Sequence, residues 1–298
     1  MLISLISIIK YLTPERFKKS IRKHKRLFKR ISLKKNRESL DRLTLKEFRN
    51  IIENKIKLGK GDTIIVHSSF GNLYADFTPE EAVKCLMSVI TESGNIIMPY
   101  YPTGHAYHWL QNNNVFDVLS SKSKMGILTQ TFSEFEDVKI SPHPVKAVAA
   151  WGKDRDFLIS EHHKSLYPYD EKSPYYKTLS LPNSKTVGLG IEINSFFHSC
   201  EDIFWKNKDK IYSKKAFNGK FRDYDGKTII VKTHAHIPKK IQNLISNCEF
   251  LKRTNCPTYL RFENDKCVFY SVVNKAVTEH SKIQFANNID RILLSKNN

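Results

Sequence analysis

The chain has 298 residues, of which 40% are hydrophobic and 11% aromatic, which is enough for a packed core and excludes a disordered chain. The formal net charge of +19 is uneven, because residues 10–37 hold thirteen Lys or Arg and one acidic residue, Glu15. That segment carries +12 and leaves +7 for the rest of the chain. The basic charge therefore describes a short segment more than the whole protein.

Residues 1–37 are predicted to form a basic amphipathic helical arm. Residues 1–9 are apolar but too short to span a bilayer, and the positive charge follows them, which is unlike a signal peptide. Leu2, Leu5 and Ile9 fall near one helix face, with basic residues beyond. The pattern favours an anionic membrane surface, and packing on a partner subunit, such as a second copy in a homo-oligomer, stays open. No motif indicates nucleic acid binding.

Cysteine and histidine spacing excludes two common site classes. The five cysteines are odd in number and form no CxxC pair, so neither a disulfide framework nor a zinc site is predicted. His162 and His163 are adjacent and lack metal-ligand spacing, so no metal is expected. The expected location is a reducing, cytoplasmic compartment, with the arm peripheral on the inner face of the membrane.

The main body, residues 38–298, begins with a helix predicted over 43–58, for which Thr44 and Glu47 supply a capping box. A strand over 62–67, a helix over 78–91 and a strand over 94–98 follow. A strand–helix–strand unit implies a parallel pair, and ligands of such sheets bind at the carboxyl ends of the strands.

The remaining pattern predicts further helices over 125–135, 194–206, 239–246 and 282–294, and strands over 147–151, 186–190, 228–232, 258–262 and 267–273. The predicted fold class is therefore α/β, with a mixed, largely parallel sheet flanked by helices.

The segment Ser141-Pro142-His143-Pro144 places a histidine between two prolines. Prolines restrict the backbone on both sides, which would hold the imidazole in one direction, as a general base requires. A structural histidine in a rigid loop is the alternative.

Two other segments offer chemistry. His67-Ser68-Ser69 follows a predicted strand, where hydroxyls and backbone N–H groups can meet phosphate oxygens. His198 and Glu201 are three apart on a predicted helix and share a face, so the carboxylate could orient a histidine or hold a substrate ammonium. Cys200 lies between them, but nothing in the sequence indicates an activated thiol.

Together these segments resemble the antibiotic-type acetyltransferase family, whose named members are aminoglycoside 3-N-acetyltransferases. The resemblance covers roughly residues 43 to 280. Its pieces occur in the family's order: Gly61-Asp62-Thr63 to His67-Ser68-Ser69, Gly94-Asn95-Ile96-Ile97-Met98-Pro99, Met125-Gly126-Ile127-Leu128-Thr129, His143-Pro144 with Ala149-Ala150-Trp151-Gly152, Ser173-Pro174-Tyr175-Tyr176-Lys177, Gly188-Leu189-Gly190, and His198 with Glu201.

The resemblance implies an α/β fold unlike the smaller GNAT acetyltransferases, acetyl-CoA as donor and an amine acceptor. It implies His143 as the general base and Glu201 as support for that histidine or for the amine. The other expected site residues are, for coenzyme A, His67, Ser68, Ser69, Met125, Gly126 and Thr129, and for the acceptor, Tyr100, Tyr101 and His198.

The chain departs from the family pattern at Ala147, at Tyr100-Tyr101 and at Asp170. By analogy these positions surround the acceptor pocket, and a polycationic aminoglycoside would need a strongly acidic one. The leading hypothesis is therefore acetylation of an amino sugar of surface-polysaccharide or glycolipid synthesis. The alternatives are aminoglycoside resistance and a non-catalytic scaffold of a membrane-associated glycan assembly.

Overall fold

A computed structural model describes residues 41–296. The chain divides into two units, residues 1–42 and 43–298, and the description below concerns the second. The predicted arm, 1–37, lies outside the described residues. Within residues 41–296, no helix combines the length and the apolar character needed to cross a bilayer.

The described part of the chain contains ten strands: β1 Thr63–Ser68, β2 Asn95–Pro99, β3 Val115–Asp117, β4 Lys139–Ile140, β5 Val148–Gly152, β6 Ser184–Leu189, β7 Phe217–Arg222, β8 Thr228–Thr233, β9 Leu260–Glu263 and β10 Val268–Val273. Its α-helices are α1 Leu45–Asn50, α2 Phe70–Leu73, α3 Pro79–Ile90, α4 Ala106–Gln111, α5 Ile127–Phe132, α6 Arg155–Ile159, α7 Pro174–Lys177, α8 Phe197–Phe204, α9 Pro238–Ile241, α10 Asn247–Arg253, α11 Asn274–Ala286 and α12 Arg291–Lys296.

Seven strands form one mixed sheet in the order β4-β5-β2-β1-β6-β10-β9, and β3, β7 and β8 form a smaller sheet. In the large sheet β1 pairs in parallel with β2 and β6, as the strand–helix–strand pattern predicted. The outer pairs are antiparallel. The predicted mixed α/β sheet flanked by helices is confirmed, but its parallel part is limited to the three central strands.

The central strands are buried on both faces because their apolar side chains alternate between two cores. Ile64 and Val66 of β1 pack into one hydrophobic cluster, whereas Ile65 packs into the other. Helix α3, capped by a Thr78–Glu81 capping box with Pro79 at its first position, covers the first cluster. This packing fixes the carboxyl ends of β1 and β2 at one edge of the sheet.

Several predicted boundaries are wrong for local reasons. Helix α1 does hold the predicted Thr44 capping box, but the chain continues as a π-helix over Ile51–Lys55. The helix predicted over 239–246 ends early, since α9 covers only Pro238–Ile241, and the Ser246 side chain accepts the Glu249 N–H and caps a separate helix, α10. The helix predicted over 282–294 is broken where Asn288 adopts a φ of 60°.

Candidate active site

A cavity of about 490 Å³ opens where the parallel strands end. Its wall contains the last residues of β1, Pro99 of β2, Tyr101, the turn before α5, and Lys146. The chain after β6 completes it with Ile191, Ile193 and Ser195. A larger hollow of about 730 Å³ lies around Trp205 and Lys282, but none of the predicted site residues line it. The smaller cavity is therefore the candidate active site.

Five of the six residues predicted to hold coenzyme A line this cavity: His67, Ser68, Met125, Gly126 and Thr129. Gly126 has a φ of 104°, a conformation that favours glycine, and α5 begins directly after it. Ser69 is absent from the wall; its N–H donates to the carbonyl oxygen of Leu189 at 2.9 Å and ties β1 to the end of β6.

His67 is a fixed, neutral part of the wall. Its Nε2 accepts a hydrogen bond from the backbone N–H of Ser195 at 3.1 Å. Burial, helped by the neighbouring His198, lowers the pKa of His67 to about 3. This imidazole therefore stays uncharged at neutral pH.

His198 and Glu201 lie one turn apart on α8 and form a short acid–base contact. His198 Nδ1 lies 2.7 Å from Glu201 Oε2. The Glu201 side chain is 2% exposed, whereas the His198 side chain is 17% exposed. Because Nδ1 donates to the carboxylate, Nε2 carries the free lone pair.

Arg291, at the start of α12, holds the other side of Glu201. Its Nε lies 2.8 Å from Oε1 and its Nη2 lies 3.2 Å from Oε2 of Glu201. Burial acts to raise the pKa of Glu201, but Arg291 and His198 outweigh it and leave the pKa below its ordinary value. For His198, burial lowers the pKa more than Glu201 raises it. The pair is therefore a carboxylate and a neutral imidazole at pH 7.

An aromatic group surrounds this pair. The His198 ring lies 4.9 Å from the ring of Tyr169 and 4.7 Å from that of His236. The Tyr169 hydroxyl lies 3.2 Å from that of Tyr101, which also bonds the hydroxyl of Tyr175 at 2.7 Å. His198 and Glu201, like His143, are not among the residues that line the cavity. Tyr101 does line it, so these ring and hydroxyl contacts connect the cavity wall to His198.

His143, the general base that the resemblance implies, lies in the core beside the cavity-lining Lys146. The side chain is fully buried and is not among the residues that line the cavity. Its Nδ1 accepts the backbone N–H groups of Val145 and Lys146 at 3.3 and 3.0 Å, and its ring stacks on His162 at 4.4 Å. Burial, with His162 and Lys146, holds the pKa of His143 well below its ordinary value. Its Nε2 is buried and has no hydrogen-bond partner in the described part of the chain. The contacts of Nδ1 order the loop, and the role of His143 as the base stays a prediction.

We expect His143→Ala to destabilise the fold by about 1–3 kcal/mol, because two buried N–H groups lose their acceptor and a cavity opens. Urea denaturation measures this change. Turnover per folded molecule is expected to stay within about threefold of the wild type, whereas a general base would cost about 10²-fold or more. A loss of that size in folded protein would restore His143 as the base.

The positions that depart from the family pattern lie in different parts of the structure, and only one of them lines the cavity. Tyr101 lines the cavity, but the Tyr100 hydroxyl donates to the Ser121 carbonyl oxygen at 2.8 Å, outside it. Ala147 is fully buried. Asp170 accepts the backbone N–H of Leu166 at 2.9 Å and orders its own loop. Only Tyr101 among these departures can contact a ligand in the cavity.

A family model described as aminoglycoside 3-N-acetyltransferase matches residues 65–275, which include both the cavity and the His198–Glu201 pair. The chain belongs to this family. The family predicted from the ordered motifs, and with it the acyltransferase class, is therefore confirmed.

A similar curated protein is the SPbeta prophage-derived aminoglycoside N(3')-acetyltransferase-like protein YokD of Bacillus subtilis (strain 168), 27% identical over 167 residues. The match covers 48% of this chain and 60% of that protein, less than two thirds of its length. Two solved structures show the fold. The aminoglycoside acetyltransferase AAC(3)-Xa has a TM-score of 0.72 and 13% identity, covering 88% of this chain and 99% of its own. AAC-IIIb, in a binary complex with CoASH, has a TM-score of 0.67 and 15% identity, covering 83% and 98%.

Within this acetyltransferase family member, two residues of the site carried no sequence signal. Arg291 lies 90 residues from Glu201 in the sequence, and His236 approaches His198 from the loop after β8. Neither belongs to a motif. Among residues 41–296, no group of three or more His, Cys, Asp or Glu side chains is placed to hold a metal ion.

Proposed function

We propose that the protein is an acetyl-CoA-dependent N-acetyltransferase that modifies the amino group of a small molecule. The observation that carries this proposal is the His198–Glu201 pair, a neutral imidazole held at Nδ1 by a buried carboxylate, in a member of an acetyltransferase family. This is the arrangement that general base catalysis requires.

The donor site in this proposal is the wall formed by the end of β1 and the start of α5. AAC-IIIb, whose fold this chain shares, is described in a complex with CoASH. Here Ser68, Thr129 and the backbone around Gly126 offer hydroxyl and N–H donors along the cavity. These residues fit the thioester end of coenzyme A.

In this proposal His198 rather than His143 is the general base. The His198 side chain is 17% exposed and its Nδ1 contacts Glu201, whereas His143 is fully buried and its Nδ1 accepts two backbone N–H groups. His198 Nε2 takes a proton from the acceptor amine as its nitrogen attacks the thioester carbonyl carbon. The new C–N bond forms, the C–S bond breaks, and the proton passes to the departing thiolate of coenzyme A. Glu201 stabilises the transient imidazolium, and Arg291 keeps Glu201 ionised.

The acceptor in this proposal is an amino sugar of surface-polysaccharide or glycolipid synthesis. No Asp or Glu is among the described residues that line the cavity, whereas two lysines, Lys124 and Lys146, are. A polycationic acceptor is therefore disfavoured. An aminoglycoside is the second candidate, because the family carries that description and AAC-VIa, a similar fold, is described as bound to sisomicin.

The test is a mass-spectrometric screen of acetyl-CoA with free amino sugars, amino-sugar nucleotides and gentamicin-type aminoglycosides. We expect a product 42 Da heavier than an amino-sugar substrate, since an acetyl group replaces one hydrogen. Acetylation of the aminoglycosides alone would select the second candidate. Absence of acetyl-CoA binding by calorimetry would leave the scaffold hypothesis in place of an enzyme.

Deleting residues 1–37 is expected to abolish co-sedimentation with anionic liposomes at low salt and to leave acetylation of a soluble acceptor unchanged. The segment carries a net charge of +12, and each basic residue near an anionic surface contributes about 1 kcal/mol. Neutral liposomes are the control. Equal sedimentation of the full-length and shortened proteins would remove the membrane hypothesis.

A further inference from the structure

Lys146 places its ammonium group in the wall of the candidate active-site cavity, with no ion-pair partner among residues 41–296. Its ammonium lies 4.0 Å from the centre of the Tyr101 ring and 5.9 Å from that of Tyr169. No carboxylate in the described part of the chain forms an ion pair with it, and no acidic residue among those described lines the cavity. A partly buried lysine in this state is costly unless a ligand supplies the missing charge.

The fold holds this lysine in one place. Its backbone N–H donates to the buried Nδ1 of His143 at 3.0 Å, and its aliphatic stem leads the ammonium across the Tyr101 ring. The Tyr101 hydroxyl is itself bonded to Tyr175 at 2.7 Å. The Pro142-His143-Pro144 motif therefore has a structural role as well, because His143 holds the backbone of Lys146 in place.

Lys146 lies on the side of the cavity where the reaction takes place. Its ammonium and the His198 ring both lie against Tyr169, and the charge of Lys146 acts to lower the pKa of His198. The pantetheine arm keeps the phosphates of coenzyme A far from its thioester. A cation close enough to affect the pKa of the proposed base is therefore too far from those phosphates when the thioester is in place, but it can bind an anionic group on the acceptor.

We propose that Lys146 is a specificity-determining residue that binds a phosphate or carboxylate group of the acceptor, so that the enzyme selects anionic amines and rejects polycationic ones. The inference rests on the proposed acetyltransferase function. Burial lowers the pKa of Lys146 to about 8, so the ammonium is still largely charged at pH 7 and an anionic ligand would restore the pKa towards its ordinary value.

The test compares Lys146→Met with the wild type on two pairs of acceptors. Glucosamine and glucosamine 6-phosphate differ by one phosphate, and a free amino sugar and its UDP-linked form differ by a uridine diphosphate. Methionine keeps the stem over Tyr101 and removes the charge. We expect KM for the phosphorylated acceptor of each pair to rise about 10- to 100-fold, while its kcat changes by less than about threefold. Both kcat and KM for the phosphate-free acceptor should also stay within about threefold of the wild-type values. The control is Lys153→Met, which removes the same charge from an exposed position outside the cavity.

Binding supplies a second readout. Glucose 6-phosphate, which has no amine, is expected to compete with the acceptor, and its inhibition constant should rise in Lys146→Met by the same factor as KM. Coenzyme A affinity, measured by calorimetry, should not change. A rise in the dissociation constant of coenzyme A would mean that Lys146 binds the donor. An equal loss of kcat on both acceptors of a pair would mean that Lys146 acts on the thioester carbonyl oxygen. Either result overturns the proposal.

Failure of the inference differs from failure of the enzyme assignment. Wild-type protein that acetylates the neutral member of each pair as well as the phosphorylated one, or acetylates no phosphorylated amine, overturns the role of Lys146 and leaves the acetyltransferase intact. Wild-type protein that acetylates no amine and binds no acetyl-CoA overturns the proposed function itself.

Discussion

Replacing His198 with glutamine is expected to lower turnover about 10²–10⁴-fold, the usual contribution of a general base, while coenzyme A still binds. Glutamine keeps a hydrogen-bond donor near Glu201 but offers no basic nitrogen to the acceptor amine. The loss should appear in kcat, because the proton is removed in the transition state and substrate binding is preserved.

Steady-state kinetics with the best acceptor measure this loss, and calorimetry with coenzyme A shows that the donor site is intact. His108→Gln is a matched control, since His108 is exposed on α4 and is not among the residues that line the cavity. Turnover of the His198→Gln protein within threefold of the wild type would remove His198 as the base.

The same assignment fixes the sign of the pH dependence. The base works only when His198 is neutral, and burial places its pKa below the ordinary 6.5. The acid limb of kcat/KM should therefore fall below pH 6.5, with activity lost as the pH drops further. Because Glu201 raises the pKa of His198, Glu201→Gln should move the limb to still lower pH in the residual activity. An acid limb above 6.5 would contradict the assignment.

The parts of the fold that the sequence predicts correctly are those set by short-range chemistry. The capping boxes at Thr44 and Thr78 and the β-branched run of β1 each lie within a few residues, so a local pattern determines them. The ends of the later helices depend on Ser246 and Asn288, whose local turns outweigh helical periodicity.

The site shows the same division between local and distant contacts. His198 and Glu201 share one helix, so their spacing predicts the contact that the structure contains. The prolines that flank His143 restrict its direction, but they do not determine whether that direction leads to solvent or into the core, and its role as the base is implied only by the family resemblance. The structure places the ring in the core, where it holds the loop that carries Lys146. The role of Arg291 depends on the docking of the last helix, which no local pattern encodes.

Removing Arg291 is expected to have the largest effect on stability. Arg291→Met would leave the Glu201 carboxylate, 2% exposed, without its guanidinium partner and cost about 3–5 kcal/mol of unfolding free energy. Methionine fills most of the volume, so the loss reports the uncompensated charge. Turnover should also fall, because a carboxylate that takes up a proton no longer holds the imidazolium of His198.

A double-mutant cycle with Glu201→Gln separates charge from packing. Each single variant leaves one buried charge unpaired, whereas the double variant leaves none, so the combined loss should be smaller than the two losses added by at least about 1 kcal/mol. Urea denaturation at pH 7 gives the three values. The difference in unfolding free energy between the wild type and the variants should shrink as the pH falls below 4.5. The pKa of Glu201 is lowered in the folded state, so its stabilising contribution is lost when the carboxylate is protonated. If the two losses of unfolding free energy add at pH 7, Arg291 and Glu201 do not stabilise each other as an ion pair. Arg291 would then have no part in orienting His198.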